Sequence, residues 1–150
     1  MTIVEFLNAR LDEDEAVAHA AIDPDSPDAH WHWIDYANEV PARPEDGYFF
    51  GVSLCTTKKF LHPLTGSHLP SVAITTADEM PEGVGTHIAR HDPARVLREI
   101  AAKRALLALA SEALGDDTTV PDAEYMAGEI VKALAPVYSD HPDYQQEWKP

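Results

Sequence analysis

Cysteine is almost missing from this chain. Cys55 is the only one in 150 residues, so neither an internal disulfide nor a thiolate metal cluster can form. Bases are scarce as well: 11 Lys and Arg stand against 26 Asp and Glu, a formal net charge of −15. Phosphate binding rests on Lys and Arg, and juxtamembrane binding on basic segments. The balance therefore speaks against nucleic acid as a direct partner and against an anionic membrane surface. No apolar run approaches the ~20 residues that span a bilayer. Acids begin at Glu5 and cluster at Asp12–Glu15, which is not the pattern of a secretory signal. Together these absences predict a cytoplasmic, acidic protein.

Catalytic signatures are lacking too. There is no nucleophile elbow, P-loop or dinucleotide fingerprint. The phrase Glu82–His87, EGVGTH, is too short to cradle a phosphate. The four acids Asp12, Glu13, Asp14 and Glu15 lack the spaced ligands and glycine of a calcium loop. No cofactor is expected.

What the chain does have is a long helical stretch, His87–Gly115, HIARHDPARVLREIAAKRALLALASEALG. Asp92 is a good N-cap, and Pro93 suits the first helical position, where its missing N–H costs nothing. Val96, Leu97, Ile100, Ala101, Leu107, Ala110 and Leu114 follow at helical spacing. Beyond Ala105 the sequence is apolar nearly all round, which predicts a buried second half. The run Thr86–His91 also reads as helical. Pro93 restricts Asp92, so a short helix, a corner at Asp92 and a long helix are expected, with Gly115 just past the end.

The 150 residues and 45% hydrophobic content suit one domain, residues 1–150. Its first helix should cover residues 2–22, opened by a Thr2–Glu5 capping box and striped by Ile3, Val4, Leu7, Leu11, Ala18 and Ile22. The acids Asp12–Glu15 read as a solvated face, with an acidic contact surface as the alternative. Trp31–Ile34 alternates like a strand, with the tryptophans inward and His30 and His32 outward. Tyr48–Cys55 and Leu69–Thr76 read as further strands, and Lys58–Leu61 either continues the first or pairs back on it: Phe50, Val52 and Leu54 share one face, as do Val72 and Ile74, and Pro70 marks an edge or a start. Asp78–Gly85 reads as a connector. A last helix begins at Thr119 or Val120, with a stripe of Met126, Ile130, Leu134 and Val137, close packing at Gly128, and an end or kink at Pro136. The fold class is α+β: an N-terminal helix, one antiparallel sheet of three to four strands, then two to three packed helices.

Two blocks, HIARHDPARVLREIAAKR (His87–Arg104) and YSDHPDYQQEWKP (Tyr138–Pro150), together with VEFLNARLDEDE (Val4–Glu15), resemble a family of small actinobacterial and actinophage proteins known only as a domain of unknown function. The resemblance implies no activity and no catalytic residues.

One polar cluster stands out. His87 and His91 are four apart on a helix, the spacing of half a zinc site. The first histidine lacks the following glutamate of a metalloprotease motif. Arg90, Arg95 and Arg98 surround the Asp92 corner, either paired with carboxylates or, at a helix start, as an anion site. The ending, with Tyr138, Tyr144 and Trp148, has aromatic surface to bury. It is expected to fold back over the corner and bring His141 near His87 or His91. The cluster reads as structural first and as a binding surface second, and the binding residues proposed from sequence are His87, Arg90, His91, Asp92, Arg95, His141, Asp143 and Tyr144. The reading that follows is a non-enzymatic accessory protein, of phage or prophage origin, whose partner is another protein. The alternative is a small zinc-binding module or hydrolase built on His87, His91 and His141. Oligomeric state is left open.

Overall fold

In the computed structural model the chain is described at residues 1–22, 24, 27–35, 52–57, 59–61, 68–70, 73–77, 81–115 and 120–149. Four α-helices and five strands are found among them. The helices are α1 (Ile3–Ala20), α2 (Glu82–Arg90), α3 (Pro93–Gly115) and α4 (Pro121–Leu134). The strands are β1 (Trp31–Asp35), β2 (Val52–Thr56), β3 (Lys59–Leu61), β4 (His68–Pro70) and β5 (Ala73–Ala77). The protein is therefore a mixed helix-and-sheet fold. It separates into two units, one of residues 1–17 and 97–150 and one of residues 18–96.

The first unit is helical. Its opening cap forms as the T-x-x-E pattern requires. The Glu5 carboxylate accepts the Thr2 N–H at 2.7 Å, and the Thr2 hydroxyl accepts the Glu5 N–H at 3.2 Å. The Thr2 hydrogen bonds hold the Glu5 carboxyl below its ordinary value of 4.5. A depressed acid contributes stability that is present above its unfolded value and lost as pH falls through the folded one. Thr2→Ala should accordingly move the Glu5 titration, followed by NMR, only part of the way toward 4.5, because alanine keeps the backbone N–H that makes the larger contribution. A full return to 4.5 would mean that the backbone bond depends on the Thr2 hydroxyl.

The core of this unit is Phe6, Leu7, Leu11, Ile100, Leu107, Ala110, Ala127, Val131, Ala135, Tyr144 and Trp148, all buried. The second half of α3 is not buried all round, as its apolar sequence suggests. Leu107 and Ala110 are inside, whereas Leu106 is 46% and Leu109 65% exposed. One helix face meets the core, and apolar residues on the other faces stay in water. The stripe of α4 is likewise rotated from the expected one. Ala127 and Val131 are buried, and Met126 and Val137 lie outside.

Val120 and Pro121 open α4 as expected, with Pro121 in its first turn. The α-helix stops at Leu134 and a 3₁₀ turn, Ala135–Tyr138, carries Pro136. Gly128 does not mark a close approach: a Cβ there meets nothing within 4 Å. Gly128→Ala should then stabilise the protein by about 0.5–1 kcal/mol through helix propensity. A lower urea midpoint for that variant would show that something does crowd the position.

The second unit holds the strands. β1, β2 and β5 make a three-stranded antiparallel sheet with β2 central, while β3 and β4 pair separately. The strands are thus divided between two sheets, and the single strand read from Leu69 to Thr76 is two: Pro70, which lacks an N–H, closes β4, and β5 begins at Ala73. In the main sheet Trp33 lies opposite Leu54, and His32 opposite Cys55. β2 and β5 slip by one residue between Leu54 and Cys55, a bulge. Ser53, Leu54, Cys55 and Thr56 are all buried, so both faces of β2 are covered. His32 is therefore not a solvated residue: its Nδ1 is buried. The facing expected of Phe50 and Val72 lies outside the described residues.

The connector read over residues 78–85 is partly helix, because α2 starts at Glu82. Of the two glycines there, Gly85 is the one that packing requires, since a Cβ on Gly83 meets nothing within 4 Å. A Cβ on Gly85 runs into the Trp33 indole, so glycine lets α2 lie directly on β1.

Candidate functional site

The Asp92 corner belongs to the second unit. α2 ends at His91, whose N–H donates to the carbonyls of His87 and Ile88, both at 3.1 Å. Asp92 then caps α3. Its Oδ1 accepts the Arg95 N–H at 2.7 Å, and Oδ2 accepts the Trp31 N–H at 3.3 Å. One buried carboxylate thus starts the long helix and ties it to the first residue of β1. The Ala94 N–H donates to the Ala29 carbonyl at 3.0 Å and repeats the tie. The rings of His87 and His91 lie 4.5 Å apart, tilted by 44°, both on exposed residues. Arg95 reaches back to the Arg90 carbonyl at 3.5 Å, which places a cation on the last carbonyls of α2, where helix dipoles favour one.

A second buried carboxylate, Asp28, was not singled out in the sequence. It is 2% exposed. Its Oδ1 accepts the His30 N–H at 3.1 Å, and its Oδ2 the Thr57 hydroxyl at 2.9 Å. The Thr57 N–H donates to the His30 carbonyl at 2.9 Å. The i to i+2 bond from Asp28 is an Asx turn, the one signal in the sequence that could have marked it.

The first unit contains the other cluster. Phe6 is fully buried and ringed by the tail. Ring centroids of Tyr138, His141, Tyr144 and Trp148 lie 6.3, 5.7, 6.2 and 4.8 Å from it. One turn along α1, the Arg10 guanidinium sits 5.4 Å from the same ring. Arg10 Nη1 lies against both ring nitrogens of His141, 2.8 Å from Nδ1, and Nη2 donates to Glu13 at 2.7 Å. His141 Nδ1 also accepts the Asp143 N–H at 3.1 Å. Tyr138 donates to Asp14 at 2.7 Å. Burial, with this bond to a carboxylate, pushes the Tyr138 phenol far above its ordinary value, so it stays a donor. The Tyr144 hydroxyl and Arg10 Nε are buried with no hydrogen-bond partner among the described residues.

The acidic run of α1 is drawn into this framework. Arg104 of α3 donates to Asp12 at 2.6 Å and to Glu15 at 2.7 Å. With Glu13 on Arg10 and Asp14 on Tyr138, each of the four acids has a partner inside its own unit. Four successive acids wrap around a helix, and this unit answers them from α1 itself, from α3 and from the tail.

The eight residues proposed from sequence fall into two sets. His87, Arg90, His91, Asp92 and Arg95 stand in the second unit; His141, Asp143 and Tyr144 stand in the first. The tail is seated on α1, where Phe6 supplies the apolar surface and Arg10 the donor. Among the described residues no three of His, Cys, Asp and Glu are grouped to hold a metal ion, and no helix is long and apolar enough to cross a membrane.

Each cluster has a buried polar residue at its centre, Asp92 tying a helix to a sheet and Arg10 tying a helix to the tail, in a small mixed helix-and-sheet protein. Residues 1–150 match the family described as a family of unknown function (DUF6221), and the chain belongs to it. No curated protein and no solved structure matches the chain.

Proposed function

We propose that the protein is a non-enzymatic accessory protein that binds a basic protein partner through exposed carboxylates of its first unit. One observation carries this reading. The acids of α1 are engaged internally, yet Asp122 and Glu124 in the first turn of α4, and Asp140 and Glu147 in the tail, are exposed. Meanwhile Arg10, Arg104 and Lys132 of the same unit are paired with Glu13, with Asp12 and Glu15, and with Glu129. The charge excess is thus displayed where three of the unit's six Lys and Arg are already engaged, and a surface of that kind attracts a basic partner over long range. Such a partner is one that otherwise binds nucleic acid, so the protein competes with the polyanion. The single cysteine, Cys55, is buried, which supports a reducing cytoplasm as its setting. The resemblance of the His87–Arg104 and Tyr138–Pro150 blocks supports an actinobacterial or phage origin.

The test is capture from an actinobacterial lysate with the parent and with Asp122→Lys/Glu124→Lys. A basic protein retained by the parent, released by moderate salt and lost with the double variant is the expected result. Retention by both proteins equally would overturn the reading. The same acidity predicts no shift of duplex DNA at physiological salt, and a salt-sensitive shift would count against it.

A further inference from the structure

α3 has a bare face. Its core side is Ile100, Leu107 and Ala110, each at most 3% exposed. At about 100° per residue, Arg98, Ala102, Ala105, Leu109 and Glu112 fall within a sector of about 80° on the opposite side. All five are exposed, Leu109 at 65%. No acid occurs between Glu99 and Glu112, although the chain carries 26. Two copies with a net charge of −15 repel wherever their carboxylates meet, and Glu112 is the one carboxylate among these five residues.

We infer that a second copy of this chain docks on this face, α3 against α3, antiparallel about a two-fold axis at Ala105. The charges select that arrangement. Arg98 and Glu112 bracket the apolar stretch at equal distances from Ala105, seven residues on either side. An antiparallel pair therefore sets Arg98 of each copy beside Glu112 of the other, twice. A parallel pair sets Arg98 on Arg98 and Glu112 on Glu112. The packing residues obey the same symmetry. Leu109 of one copy comes opposite Ala101 and Ala102 of the other, a large side chain over two small ones, and Ala105 meets itself where the helices cross most closely. A self-complementary patch is what a two-fold interface requires. The contact stretch is roughly 21 Å long, the length of one helix face.

The dimer is read by sedimentation equilibrium of the full chain from micromolar to hundreds of micromolar protein. The expected mass rises to twice the 16.5 kDa of the chain. Ala105→Glu sets two carboxylates against each other on the axis and should leave a single-chain mass. Glutamate is a good helix former at an exposed site, so an unchanged circular dichroism spectrum accompanies it. Arg98→Glu should weaken association about tenfold, since two favourable pairs become two repulsive ones. Adding Glu112→Arg should restore it, because the pairs re-form with signs exchanged. A single-chain mass for the parent throughout overturns the proposal. So does a dimer that Ala105→Glu leaves intact, or a swapped variant that associates no better than Arg98→Glu alone.

Discussion

Replacing Phe6 with alanine should lower the stability of the protein by about 3–5 kcal/mol. Phe6 has no exposed surface, so the whole ring is lost from a packed site. Four rings of the tail surround it. Three of them approach edge-on, with interplanar angles of 81°, 68° and 65°, and Trp148 lies at 4.8 Å, tilted by 43°. Edge-to-face pairs contribute about 0.5–1.5 kcal/mol beyond the area they bury, and the Arg10 guanidinium over the ring adds a further attraction. The loss is therefore shared with the tail, and it can be checked as a coupling. Removing residues 139–150 should also lower the melting temperature. The deletion and Phe6→Ala together should cost clearly less than the sum of the two, because each removes the other's partner. Urea midpoints of the four proteins measure this. Additive effects would mean that Phe6 is buried by something other than the tail, and the first unit would need another core.

The parts of this fold that could be read from sequence are those set by local chemistry. Thr2 and Glu5 close a reciprocal cap, Asp92 caps and Pro93 opens α3, and Pro136 ends α4. Each depends on residues within four positions of one another, so spacing alone carries the signal. The parts that could not be read depend on what lies across space. The apolar run 105–110 has no polar residue to show which face is inside, and only packing distinguishes Leu107 from Leu109. Gly85 looked like a connector residue because nothing local shows that it lies under the Trp33 ring. Arg10 is the only Lys or Arg in α1, a hint of a specific partner, but the partner is 131 residues away at His141. For the same reason the candidate site was half legible. The corner of His87, His91 and Asp92 is local and forms as a corner. The place of the tail was not legible, because the donor and ring that seat it, Arg10 and Phe6, lie at the far end of the sequence.

Leu107 is where the reading of α3 is decided. It is 2% exposed and stands at the middle of the helix, on the side shared with Ile100 and Ala110. Leu107→Ala deletes buried carbons and leaves a cavity that helices in close packing cannot fully collapse, so a loss of about 2–5 kcal/mol is expected. Alanine is the better helix former by a few tenths of a kcal/mol, which offsets the loss only slightly. The Leu107 carbonyl accepts the Ser111 hydroxyl at 2.6 Å, and the substitution leaves that bond in place. The measured change is therefore one of packing. Val17→Ala supplies the comparison. Val17 is 70% exposed on α1, and its replacement should alter stability by no more than about 0.5 kcal/mol. Both variants are unfolded in urea beside the parent at one protein concentration. A Leu107→Ala midpoint that falls while the Val17→Ala midpoint stays places the core of the first unit on the Leu107 face of α3. Coincident midpoints for Leu107→Ala and the parent would falsify that placement, and with it the bare face on the opposite side of the helix.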